Sequence, residues 1–104
     1  PRSTLFPYTT LFRSLTPPGR AGAYARAGAF EVDGRFPMNT HGGLLSYGHC
    51  GVGGGMAHLA EVATQLRHER GAAQVADCEV GYVHADGGVL SAHVGVVLKR
   101  VATA

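Results

Sequence analysis

Apolar positions along the chain change period twice, and each change marks an element. Met56, Leu59, Ala60, Ala63 and Leu66 recur at three- and four-residue spacing, which puts them on one face of a helix. Arg67, His68, Glu69 and Arg70 then form a polar last turn and Gly71 supplies a C-terminal stop, so the pattern predicts a helix over Met56–Arg70. Further on, the period falls to two. Leu90, Ala92, Val94, Val96 and Leu98 alternate with Val89, Ser91, His93, Gly95 and Val97, which predicts a strand over Val89–Arg100 with one wholly apolar face and one mixed face. Glu79–His84 reads as a second strand, and the intervening Ala85-Asp86-Gly87-Gly88 carries the Asp-Gly pair of a hairpin turn. Both faces of the later strand need cover, as in a layered α/β protein, and one helix covers only one of them. The pattern therefore asks for a partner layer outside this stretch.

Ahead of the helix the periodicity disappears. Seven of the fourteen residues from Gly42 to Gly55 are glycine, a density tolerated where φ must be positive or where backbone approaches a ligand or another chain closely. A glycine-rich loop thus feeds a helix N-terminus. Residues 15–35 read as a linker or partial element, with turn signals at Pro17-Pro18-Gly19 and Asp33-Gly34 and one short ordered element expected between Ala21 and Phe30. Residues 1–14 differ from the rest: the triplet Thr-Leu-Phe recurs at 4–6 and 10–12 and two of the four phenylalanines lie here. Pro7 and the threonines make a poor apolar core for a signal peptide. The string resembles a translated sequencing-adapter read, so it is set apart as an expected artefact, disordered and outside the fold.

Composition sharpens this picture. Only 15% of the 104 residues are charged, against an average of about 25%. A small free-standing domain exposes much surface, so the deficit points to faces covered by other protein. The start at Pro1 and the eight arginines among nine basic residues agree with a piece of a larger GC-rich-encoded protein. The formal charge of +2 falls to zero without Arg2 and Arg13, because seven basic residues then face seven acidic ones. There is no basic footprint for nucleic acid and no aromatic platform for single strands. Phe36–Ala60 lacks Asp, Glu, Lys and Arg, yet its seven glycines, three histidines and one asparagine make it too polar to cross a membrane. Cys50 and Cys78 form neither a C-x-x-C pair nor a disulfide framework, which predicts a reducing, cytoplasmic setting.

Three chemistries are worth weighing for the loop. A phosphate loop needs Gly-Lys-Ser/Thr, which is missing, and Met56 stands where the third glycine of a dinucleotide pattern would fall from Gly51-Val52-Gly53. A metal site is disfavoured because the six histidines lie eight to sixteen residues apart, without the short paired spacing of zinc ligands. His58 and His68 then read as solvated helix residues and His93 as a strand residue on the mixed face. Nucleophilic catalysis fits better. His49 heads a helix in a loop shaped for close approach, and His84 ends a strand before a glycine turn, places where an imidazole serves as general base. The plain alternative is that His49 satisfies local backbone groups. Cys50 next door is a weaker candidate nucleophile, because adjacent side chains in a sharp loop tend to point apart.

The run Asn39-Thr40-His41-Gly42-Gly43-Leu44-Leu45-Ser46-Tyr47-Gly48-His49, followed by Gly53-Gly54-Gly55-Met56, resembles the C-terminal signature of the thiolase superfamily. There an N-x-x-G-G segment precedes a G-H-P motif and a glycine-rich helix start. Gly81-Tyr82-Val83-His84-Ala85-Asp86-Gly87-Gly88-Val89-Leu90-Ser91-Ala92-His93 resembles the closing hairpin of that domain, particularly in the lipid-transfer, sterol-carrier-type branch. The two motifs in this order cover about 36–100.

That resemblance implies an α/β chain forming part of a five-layered αβαβα fold: a glycine-rich loop, a buried helix and a C-terminal β-hairpin, all within residues 36–104. It implies an acyltransferase acting on coenzyme A thioesters, with no cofactor beyond that thioester substrate. His49 takes the place of the histidine that activates the acyl-accepting cysteine and holds the thioester oxyanion. His84 stands where the second cysteine of a C-x-G motif handles the substrate's α-carbon. Asn39, Gly43, Gly87 and Gly88 are the implied substrate-binding positions. Cys50 replaces the proline after the histidine, which frees φ and adds a donor. The implied partners are acyl-CoA, an N-terminal thiolase half that bears the cysteine, a second copy in a homodimer and, for a retro-aldol carbon–carbon lyase, an OB-fold protein. No residue here matches the N-terminal cysteine, so this chain alone is expected to be inactive. The competing expectation is a non-catalytic lipid- or acyl-CoA-binding protein.

Overall fold

The computed structural model describes residues 16–49, 51–88 and 91–101. The segment set apart at 1–14, Cys50 and the start of the second predicted strand at Val89 and Leu90 lie outside the described residues. The chain divides into two compact units, ending at Met38 and beginning at Asn39.

In the first unit, helix α1 spans Ala21–Arg26, within the stretch where one short element is predicted. Backbone bonds fold the following segment back on it. Ala29 N–H donates to the Tyr24 carbonyl, Phe36 N–H to Ala29 at 2.7 Å and Met38 N–H to Phe30 at 3.1 Å. Gly34 closes the Asp33-Gly34 turn by donating to the Glu31 carbonyl at 2.9 Å. A Cβ there would fall 2.6 Å from the Ala29 carbonyl oxygen, so the turn admits only glycine.

The second unit places one long helix on a hairpin. The glycine-rich loop contains a short helix, α2, at Leu44–Tyr47, and a 3₁₀ turn at Gly51–Gly53 leads into α3 at Gly54–Leu66. After a second 3₁₀ turn at Gly71–Ala73, strands β1 (Val80–Gly87) and β2 (Ala92–Lys99) pair antiparallel. Helices and an antiparallel sheet together make the mixed α/β architecture that the two periodicities predict.

Three features differ from the sequence expectation. Helix α3 ends at Leu66 instead of Arg70, because His68 takes the left-handed conformation with φ 59°. His68 N–H then bonds to the Gln65 carbonyl at 3.0 Å and Glu69 N–H to Thr64 at 3.1 Å, the paired bonds of a Schellman stop. Gly71, the expected stop, has φ 63° in the next turn. The hairpin turn also moves. Ala85 and Asp86 stay in β1, opposite Val94 and His93, and the chain turns through Gly88 (φ 58°) to Ser91, whose N–H bonds to the Gly87 carbonyl at 3.1 Å. Finally, α3 is less buried than predicted. Met56 is 64% exposed and Ala60 and Ala63 are exposed, whereas Gly54, Glu61, Gln65 and Leu66 are buried.

Alternation along the hairpin assigns its two faces. Val62 of α3 lies against Gly81, where an added Cβ would collide with the valine side chain, and Gly55 faces the Ala85 methyl group. Gly81, Val83 and Ala85, with Val94, Val96 and Leu98 opposite, therefore make the helix side. This is the wholly apolar face predicted for the second strand. Val83 and Leu66 are its buried centre. The other side carries Val80, Tyr82, His84 and Asp86 with His93, Gly95, Val97 and Lys99. Tyr82 lies over Gly95, with its hydroxyl 2.7 Å from where a Cβ would stand.

Gly81→Ala tests the helix-on-hairpin contact. The new methyl group enters space held by Val62, so thermal unfolding is expected to show a loss of about 1–3 kcal/mol, the usual cost of overpacking; Gly87→Ala, where a Cβ meets nothing, is the control.

Candidate functional site

The loop 39–43 is fixed to α3 by a polar cluster that apolar periodicity does not reveal. Thr40 Oγ1 donates to Glu61 Oε1, and Arg70 Nε donates to Glu61 Oε2 at 2.7 Å. Gln65 Nε2 lies 3.0 Å from Glu61 Oε1, 3.1 Å from Thr40 Oγ1 and 2.8 Å from the Ala73 carbonyl. Gln65 Oε1 in turn accepts from Val75 N–H at 2.9 Å. The Glu61 side chain is 7% exposed, yet both its oxygens are bonded, which is the condition for burying a carboxylate. Burial pushes the Glu61 carboxyl up, but the hydrogen bonds from Thr40, Gln65 and Arg70, with the charge of Arg70, outweigh it and hold the carboxyl below its ordinary value.

His41 is buried beside this cluster. Gly43 N–H donates to its Nδ1 at 3.3 Å, so the proton of the neutral ring sits on Nε2, which faces His58 Nδ1 at 2.9 Å. His41 also packs on Tyr47, with ring centroids 5.1 Å apart. His58 is thus a half-buried partner of His41, where the sequence reading takes it as solvated; burial and then the neighbouring His41 lower its pKa. The signal available in the sequence is the spacing of His58, Glu61 and Gln65, which sets a polar stripe on one face of the helix.

Asn39 adopts φ 49°, and its carboxamide lies 3.8 Å from where a Cβ of Gly43 would be. Two of the predicted substrate-binding residues are thereby brought together. His49 is exposed and sits on the first turn of α3. A Cβ at Gly54 would stand 2.7 Å from His49 Nδ1 and 3.0 Å from its Cε1, so the absence of a side chain at Gly54 makes the imidazole's seat. The ring meets the helix by that edge. Among the described residues no side chain caps the N-terminus of α3, and the positive end of the helix dipole faces this region.

The second motif reaches the same place through Ala85, which touches Gly55 in the first turn of α3. Its histidine does not. Because residues alternate, His84 projects from the side of β1 opposite the helix, where its Nε2 lies 3.2 Å from His93 Nδ1. The structure therefore brings the two motifs to one helix end while presenting His49 and His84 on different sides of the hairpin. His84 is also mid-strand, opposite Gly95, and not at a strand end. Gly87 and Gly88 form the hairpin tip, where Ser91 Oγ bonds to both carbonyls, at 3.3 and 2.5 Å. Cys78 is half-buried, and burial and then Glu79 push its thiol up, the wrong direction for a nucleophile. No helix among the described residues is long and apolar enough to cross a membrane.

A helix laid on an antiparallel hairpin, with its glycine-lined N-terminus against the strand that carries the second motif, makes a mixed α/β unit. Comparison with known proteins supplies the family. Residues 11–100 match the thiolase C-terminal domain-like family, and the chain belongs to it. The match starts inside the segment set apart from the fold and includes the stretch read as linker.

Among curated relatives, the acetyl-CoA acetyltransferase of Methanothermobacter thermautotrophicus is 41% identical over 70 residues, covering 67% of this chain and 18% of that protein. Sterol carrier protein 2 of Oryctolagus cuniculus is 39% identical and that of Homo sapiens 36% identical, each over 70 residues covering 67% of this chain and 13% of the relative. The chain thus spans less than a fifth of these relatives. No solved structure matches significantly. The family's curated relatives thus include one named for acetyl transfer and one named as a sterol carrier.

Two substitutions probe this site. Glu61→Gln is expected to cost about 1–3 kcal/mol at neutral pH, the range for a disrupted buried polar network. Because the folded-state pKa of Glu61 is lowered, its contribution is present above the ordinary value of 4.5 and fades as pH falls through the folded value. Denaturant melts of the two proteins should therefore converge in acid. Gly54→Ala is expected to displace the His49 ring with little loss of stability, read as a change in the His49 imidazole NMR signals while those of His41 and His58 persist.

Proposed function

We propose that this chain is the C-terminal portion of a thiolase-like acyltransferase acting on acyl-CoA thioesters in lipid metabolism, inactive until joined by an N-terminal half that bears the nucleophilic cysteine. The observation that carries this reading is the seating of His49 on the side-chain-free turn at Gly54, in a chain of the thiolase C-terminal domain-like family. An imidazole held there meets the helix by its Nδ1–Cε1 edge, so Nε2 is the working nitrogen. It takes the proton of the cysteine thiol, and as an N–H it then donates to the oxyanion formed when the thiolate attacks the acyl carbonyl. Collapse of that intermediate expels the CoA thiolate and leaves an acyl-enzyme. Asn39 and Gly43, on either side of the Thr40 that bonds to Glu61, and the hairpin end at Gly87 and Gly88 line the acyl-CoA site. His84 is the second acid/base and handles the proton on the substrate's α-carbon. The parent assembles as a homodimer.

One observation favours a second reading. His84 faces away from His49 and bonds to another histidine, an arrangement that suits a protein which binds lipid or acyl-CoA without turnover. A retro-aldol lyase with an OB-fold partner is a variant in which the same histidine serves a different carbon–carbon step.

With the N-terminal half restored, His49→Ala is expected to lower acyl-enzyme formation by about 100-fold or more, the usual scale for a general base. Labelling by a radioactive acyl-CoA measures it. Undiminished labelling removes His49 from the role, and acyl-CoA binding with no label in the unsubstituted protein establishes the non-catalytic reading.

A further inference from the structure

We propose that His58 is a positioning residue for the Asn39–Gly43 loop, which it holds against α3 only while its imidazole is unprotonated, so that mild acid releases the loop. The bearing of this device on substrate binding rests on the reading of Asn39 and Gly43 as positions that contact acyl-CoA. The geometry starts at Gly43. A backbone N–H can only donate, and that of Gly43 donates to His41 Nδ1 in buried surroundings. Nδ1 must therefore keep its lone pair, which leaves the proton of the His41 ring on Nε2. That nitrogen faces His58 Nδ1 at 2.9 Å, so His58 Nδ1 is the acceptor and His58 carries its own proton on Nε2. One chain of bonds thus runs from the loop backbone through two imidazoles to the helix, and every donor and acceptor in it is assigned.

That chain has no place for an extra proton. Its basic nitrogens are His41 Nδ1 and His58 Nδ1, and each already accepts a bond. A proton on His58 Nδ1 sets two N–H groups face to face, and one on His41 Nδ1 does the same with the Gly43 amide. His41 is 8% exposed and packed on Tyr47, whereas His58 is half-buried, so the proton enters at His58. Burial and then the neighbouring His41 lower the His58 pKa from its ordinary 6.5. The tie is therefore present above that value and is lost as pH falls through the lower folded value. Glu61, one turn on from His58, keeps its charge through this range, because Thr40, Gln65 and Arg70 hold its carboxyl down, and Arg70 balances it. Tyr47 is the titratable group that α2 brings against His41, and His49 is the other imidazole near the start of α3. The helix side of the hairpin, Gly81, Val83 and Ala85 with Val94, Val96 and Leu98, brings none. Mild acid thus opens the Gly42-Gly43 end of the loop and leaves its Thr40 end on Glu61.

Hydrogen exchange at the Gly43 amide of the full ¹⁵N-labelled chain tests this. Corrected for the intrinsic exchange rate, its protection is expected to fall about tenfold between about pH 7.5 and about pH 5.5, the order of one hydrogen bond. The midpoint should coincide with that of the His58 ring signals, while the Val75 amide, bonded to Gln65, keeps its protection. His58→Asn retains an acceptor that does not titrate and should preserve Gly43 protection at both pH values; His58→Phe removes the acceptor and should lack it at both. In the protein reconstituted with its N-terminal half, acyl-CoA binding is expected to weaken several-fold more over this range in the unsubstituted protein than in His58→Asn. Unchanged Gly43 protection, joint loss at Val75, a midpoint apart from that of His58, or an equal loss in His58→Asn would overturn the proposal. If the asparagine variant does not fold, the midpoints in the unsubstituted chain decide. If protection follows His58 while acyl-CoA binding has the same pH dependence in both proteins, the loop tie stands and the reading of Asn39 and Gly43 as substrate contacts falls.

Discussion

The buried carboxylate of Glu61 is the constraint on which the rest of the second unit depends. It ties a loop residue distant in sequence to the helix and to the helix exit: Thr40 in the loop before α2, Gln65 one turn along α3, and Arg70 just beyond the helix end. A carboxylate in a low-dielectric setting is tolerable only while these donors surround it. Its presence therefore fixes where the loop lies on the helix and where the chain leaves the helix. Gln65 extends the same bonding to Ala73 and Val75, on the approach to β1. A polar network thus does work that the thin apolar core, centred on Leu66 and Val83, is too small to do.

This arrangement explains how a glycine-rich segment can hold a site. Glycine loses more conformational entropy on folding than any other residue, so a run of seven in fourteen needs ties elsewhere. The Glu61 network ties one end through Thr40, and the His41–His58 bond ties it again one residue later. What the glycines return is access. Gly54 leaves room for His49, and Gly55 and Gly81 let the hairpin come up against α3. The two family motifs meet at one helix end because small residues stand on both sides of that contact.

The exposed apolar residues follow from the same geometry. Met56 on the helix, Val94 on the helix side of the hairpin and Val97 on its other side are 64%, 59% and 67% exposed. Full burial of such a side chain is worth about 1.5–3 kcal/mol, so covering these faces would add substantial stability. The low charged fraction is consistent with this: the surfaces short of charge include those carrying uncovered valines. The relatives, of which this chain spans less than a fifth, are long enough to supply such cover.

By itself, the sequence determined the kinds of element, their order, the apolar face of the second strand and the family motifs that nominate His49 and His84. These are local properties: a period of two or of three and four, a glycine run, a short string of residues. Tertiary structure decided what periodicity does not encode. It stopped α3 at His68, because bonds from beyond the helix end compete with its last turn, and it extended β1 through Asp86, because pairing with His93 outweighs a local turn preference. It buried Glu61 and Gln65 while leaving Met56 exposed, because a polar residue is drawn inside by donors that only folding brings near. It also turned His84 away from His49 and toward His93, since strand alternation and cross-strand register, not the spacing of histidines in the chain, choose an imidazole's neighbour.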